Sequence, residues 1–156
     1  MQSQLDKPAV EQADLYDEDF FEWTFRNAEL LRAGRFEQAD IEHVAEEIED
    51  MGKRDLHEVD SRVEVLVRHL LKWQLQPVKK SRPWVRTIAS QRKGLAQRLD
   101  DSPSLRVKIQ PNLGRNYQYA LKLAVIETGL PKNHFPAECP FTVEQILDPD
   151  FLPQVQ

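Results

Sequence analysis

Three observations predict an all-α fold, an antiparallel helical bundle with one long helix and a proline-rich C-terminal segment. Apolar residues recur at helical spacing in several stretches, the longest running from 41 to 73. No segment alternates apolar and polar residues between hairpin turns. Five prolines fall in the last 27 residues, where the helical pattern stops.

The elements follow in order. Residues 1–14 are polar and contain Pro8, which predicts a flexible tail before a single helical-bundle domain over 15–156. Asp17, Glu18 and Asp19 supply a cap and an acidic first turn for the first helix. Phe21, Phe25, Ala28 and Leu31 form its inward stripe, and Gly34 stops it. The second helix starts near Asp40. Its stripe is Ile41, Val44, Ala45, Ile48, Met51, Leu56, Val59, Val63, Leu66, Leu70 and Trp73, closed by Pro77. It is straight, or kinked at Gly52, where Asp55 and Glu58 resemble a second capping box.

A third helix begins at Pro83, a residue suited to a first turn, and runs to Asp100 with Trp84, Ile88, Leu95 and Leu99 inward. Pro111 breaks the chain. A fourth helix spans about 112–128, with Leu113, Tyr117, Leu121, Ala124 and Val125 inward and Gly129 as its stop. Thr142 and Gln145 fit the capping box of one short helix.

Composition narrows the functions. A chain of 156 residues suits one domain with a real core. The net charge of -5 gives no whole-chain argument for nucleic-acid or membrane binding. Cys139 is the only cysteine, so no intrachain disulfide forms and a reducing compartment is expected. The N-terminus lacks the apolar core of a signal peptide, and no run approaches the ~18 apolar residues of a membrane span. A cytoplasmic protein is the resulting expectation.

The segments "EEIEDMG", "HLLKWQLQP", "SRPWVRTI", "QRKGL", "DSPSL", "YALKLAVIETGL" and "FPAECPFTVEQIL" occur in this order. Together they make the chain, over about residues 15–153, resemble the bacterial domain-of-unknown-function family twenty-nine. The resemblance implies a helical bundle and a bacterial source. It carries no catalytic residue and no cofactor to any position here.

Four constellations bear on chemistry. Residues 37–60 hold ten acids, with His43 and His57 among them. A di-iron bundle site needs inward glutamates and Glu-x-x-His pairs, and Asp40-x-x-His43 is the only close match. At roughly 100° per residue, Glu42, His43, Glu46, Glu49 and Asp50 fall opposite the apolar stripe, so no metal site is expected. Residues 79–98 hold seven basic residues and no acid. Lys79, Lys80, Arg82, Arg86, Arg92 and Lys93 are the candidates for phosphate contacts, with Trp84 available for stacking. They surround the helix instead of forming one stripe, so nucleic acid is not favoured.

Arg62 and His69, seven residues apart on one helix edge, match the spacing of a HEPN-like ribonuclease pair, with His69 as acid or base. Val63 stands where such enzymes usually place a polar residue. Cys139 with His134 is the fourth pair, but Glu138 adjoins the thiol and Pro136 and Pro140 frame it. The balance favours a non-enzymatic interaction or oligomerisation module. A homodimer or protein partner would use the acidic face of the second helix, which a ~27 Å third helix folded over its basic half leaves uncovered.

The stretch "HLLKWQLQP" at 69–77 reads as the buried end of the long helix. On the helical wheel Lys72 points to water, His69 sits at the rim, and Gln74 points inward. Gln74 then needs a partner, such as a backbone group near the Pro77 turn.

Overall fold

The computed structural model describes residues 9–76, 79 and 81–155, with side chains from residue 14 onward. Pro8, Pro77 and Lys80 lie outside the described residues. Among those described, the regular structure is α-helix and short 3-10 turns, with no strand: the fold is all-α. The chain divides into two compact units, Met1–Lys53 and Arg54–Gln156. The helix α3, Ile41–Leu75, is continuous through Gly52 and is not broken there.

In the first unit, α1 (Ala9–Glu18) precedes α2 (Phe20–Arg32). The helix α1 begins within the stretch expected to be a flexible tail. Its Tyr16 ring meets Phe20 and Trp23 edge-on, contacts that apolar periodicity around residues 9–18 did not announce. Asp19 caps α2 by accepting from the Glu22 amide at 3.0 Å. Gly34, at φ 70°, takes the left-handed conformation that stops the helix.

The buried face of α2 is Trp23, Arg26, Asn27 and Leu30. The expected stripe is therefore corrected: Phe21 is 71% exposed and Phe25 59%. Two apolar registers compete on this helix, and the one that also satisfies polar groups is buried. Trp23 Nε1 donates to Asp40, and Asn27 Oδ1 accepts from the Asp40 amide. The first half of the α3 stripe is corrected too. Ile41, Ala45, Ile48 and Met51 are exposed.

In the second unit the stripe is buried as expected. Val59, Val63, Leu66 and Leu70 of α3 pack with Ile88 and Leu95 of α4 (Arg82–Asp101). Leu113, Tyr117, Leu121 and Ala124 of α5 (Arg106–Thr128) complete the helical part of this core. Glu58 meets Arg98 at one end of the α3–α4 pair, and Lys72 lies over Trp84 at the other, so the two run antiparallel.

Pro111 does not break the chain; it sits inside α5. It costs only the bond to the Val107 carbonyl, and Val107 is exposed, so water serves that carbonyl. Gly129, at φ 69°, ends α5. The predicted capping box is present at α6 (Val143–Leu147), where Thr142 and Gln145 exchange bonds of 3.0 and 3.2 Å. Phe135, Phe141, Val143 and Ile146 bring this C-terminal segment into the core.

Candidate functional site

The basic segment is divided by burial. Lys79, Arg82, Arg86 and Lys93 are exposed. Arg92 is not available to a phosphate: it is 6% exposed. Its guanidinium donates to the carbonyls of Ile146 at 3.0 Å, Gln145 at 3.1 Å and Pro149 at 3.4 Å. Trp84 is half-buried, and the Lys72 ammonium lies 4.8 Å from its ring centroid, so one ring face is already taken.

Arg62 and His69 each have local partners. Arg62 donates through Nε and Nη2 to Glu58 at 3.0 and 2.8 Å, and through Nη1 to Gln91 at 3.2 Å. Arg98 and then Arg62, hydrogen-bonded to Glu58, hold its carboxyl below the usual carboxylate range. The Arg62 guanidinium lies against Gly94, where a Cβ would fall 2.5 Å from Cζ. Arg62, Glu58, Gly94, Arg98, Asp100 and Asp101 are among the residues lining a cleft of about 460 Å³. His69 is not on that lining. Its Nδ1 bonds the Val65 carbonyl at 2.8 Å, which assigns the proton to Nδ1. Burial lowers its pKa, against the pull of that bond. The charged groups acting on it are Lys72, Arg68 and Glu127, not Arg62.

Lys72, expected in water, is buried and forms an ion pair with Glu127 at 2.8 Å. Contacts with both α4 and α5 leave no solvent face at this point of α3. Gln74 does point inward, but its Oε1 is buried without a partner. The neighbouring Gln76 reaches a backbone carbonyl instead, that of Thr128 at 3.4 Å. Gln74, Phe141 and Phe151 are among the residues lining a cavity of about 400 Å³.

Burial raises the Cys139 thiol pKa, and Sγ donates to the Phe141 carbonyl at 3.5 Å. His134 is exposed and is not a cause of that shift. The pair lacks the positive environment that would make a thiolate.

The first unit holds a polar cluster that sequence reasoning missed. Asp40 is buried and its Oδ2 lies 2.6 Å from His43 Nδ1 and 3.1 Å from Trp23 Nε1. His43, expected on the water face, stacks on Tyr16 at 4.0 Å between centroids. Tyr16 in turn donates to Glu47 at 2.8 Å, and that bond pushes its pKa up to about 12. Hydrogen bonding to Asp40 raises the His43 pKa. The spacing Asp40-x-x-His43 was a local signal for one of these bonds; nothing local pointed to Tyr16. Among the described residues no group of three or more His, Cys, Asp or Glu side chains is arranged to hold a metal. No helix among them is long and apolar enough to cross a membrane.

Seven large apolar side chains of the first unit are exposed: Phe20, Phe21, Phe25, Phe36, Ile41, Ile48 and Met51. The same residues 1–53 carry fifteen acidic and five basic residues, a net charge of -10, whereas residues 54–156 carry +5.

No curated protein and no solved structure matches the chain. A family model described as "Domain of unknown function DUF29" matches residues 15–152, from the start of the Tyr16 cluster to the C-terminal segment that Arg92 holds. The chain therefore belongs to the DUF29 family.

Proposed function

We propose that the chain is a non-enzymatic protein-interaction module of the bacterial cytoplasm, docking a protein partner or a second copy through its first unit. The observation that carries this reading is the set of apolar side chains left in solvent on well-formed helices. Ile48 is 63% exposed and Met51 62%, beside Phe21 and Phe25. Burying such a side chain fully is worth about 1.5–3 kcal/mol, and clustered exposed apolar surface marks interaction sites. The polar candidates of the second unit favour an internal role: Arg92, Arg62, Lys72 and His69 have partners within the chain.

The test compares the wild type with a Phe21→Ser, Ile48→Ser double variant, both cross-linked in the host cell and purified. The expected result is a defined cross-linked species, either a dimer or one partner, that the variant loses while keeping its helical circular dichroism. A wild type recovered only as an uncrosslinked monomer, or a species unchanged in the variant, refutes the reading.

A further inference from the structure

We infer that the exposed stripe on the first half of α3 receives a basic amphipathic helix from a partner protein, an inference that rests on the interaction reading above. Ile41, Val44, Ile48 and Met51 stand at spacings of three, four and three. That is the a/d repeat of a two-helix seam over two heptads. Of these, Ile41, Ile48 and Met51 are exposed and Val44 is partly so. A helix presenting such a seam is completed by another helix whose apolar residues recur at i, i+3 and i+7.

Charge selects the partner. At roughly 100° per residue, Glu49 and Glu42 flank the stripe about 80–100° from Ile41, and Glu46 lies just beyond them. All three are exposed. Lys53 is the one base on this half of α3, and it is already paired with Asp50 at 2.7 Å. An approaching helix with Lys or Arg beside its apolar stripe would meet carboxylates along one edge, gaining both steering and register. A second copy would bring the same acidic edge and the same unit charge of -10, and like charges facing each other oppose docking. Phosphate-bearing surfaces are repelled for the same reason.

The experiment uses the full chain and two labelled synthetic helices of about 20 residues. Both carry Leu at the a and d positions; one has Lys at the flanking e and g positions, the other Gln. Fluorescence anisotropy is expected to show the Lys peptide binding about tenfold or more tightly than the Gln peptide, the gap closing as salt rises toward about 1 M. Ile48→Asp is expected to abolish binding although it adds negative charge, which separates seam docking from simple ionic attraction. A triple Glu42→Gln, Glu46→Gln, Glu49→Gln variant should bind the Lys peptide no better than the Gln peptide. Equal binding of the two peptides, no binding of either, or Lys-peptide binding that survives Ile48→Asp would overturn the inference. Concentration-dependent dimerisation abolished by Ile48→Asp would assign the stripe to a second copy, overturning the inference while leaving the interaction reading standing.

Discussion

Replacing Arg92 by methionine removes three hydrogen bonds from a buried guanidinium and keeps most of the side-chain volume. Its acceptors are the carbonyls of Gln145, Ile146 and Pro149, on and just after α6. Two of the bonds, at 3.0 and 3.1 Å, are well formed, and the third is near the limit at 3.4 Å. A hydrogen bond from a charged donor contributes about 1.5–3 kcal/mol, and a buried acceptor left unpaired costs a comparable amount. Ile146 is fully buried, so its carbonyl carries the larger share, while Pro149 is exposed and water can replace its bond. Removing the charge also relieves the desolvation that lowers the Arg92 pKa, which offsets part of the loss. The net expectation is a destabilisation of about 2–4 kcal/mol for Arg92→Met. Arg92→Lys should cost less but not nothing, because an ammonium cannot span three acceptors in fixed directions. Urea unfolding followed by circular dichroism measures the loss. Hydrogen exchange should show the amides of 146–151 opening before those of α3. A Met variant within about 1 kcal/mol of wild type, with unchanged exchange in that segment, would refute the account of Arg92 as the strap of the C-terminal segment.

Three further outcomes are expected. His43 is held above its ordinary pKa of 6.5 first by the bond to Asp40, so its contribution to stability is full below pH 6.5 and is lost as pH rises through the raised folded value; an NMR titration placing His43 at or below 6.5 would sink this, and His43→Gln should remove the corresponding pH slope. Gly94→Ala should give little or none of the roughly 1 kcal/mol that alanine brings to a helix, because its Cβ displaces the Arg62 guanidinium; in an Arg62→Ala background the gain should return, and additivity within about 0.3 kcal/mol in thermal melts would contradict the contact. Gln74→Leu should be neutral or stabilising by about 1 kcal/mol, since it removes a buried oxygen without a partner, and a clear drop in melting temperature would show that the carboxamide is bonded in solution.

Local chemistry was legible in the sequence. The Thr142–Gln145 box, Asp19, Gly34 and Gly129 each act within a turn, and each stands where the residue types placed it. The existence of the helices was legible for the same reason. What covers each helix was not. A periodic stripe states that one face is apolar, but only tertiary packing decides whether that face is buried. The α3 stripe is buried beyond Val59 and bare from Ile41 to Met51, with no change of pattern between them. Lys72 shows the converse: its wheel position is polar, yet α4 and α5 both reach it. Arg92 looked like one more surface base because its acceptors are backbone carbonyls more than fifty residues away, which no side-chain motif records. Tyr16 escaped notice for the same reason of distance, lying 31 residues from Glu47.

The Arg92 strap also sets an order in time. Its acceptors come 53 to 57 residues after it in the chain. At a synthesis rate of about 5–20 residues per second, the guanidinium waits roughly 3–11 seconds before its carbonyls have even been made. Through that interval α4 must keep a charged group in water at a position that later becomes core. The core face of α4 therefore closes late, and the C-terminal segment seals it only after its own residues have been made.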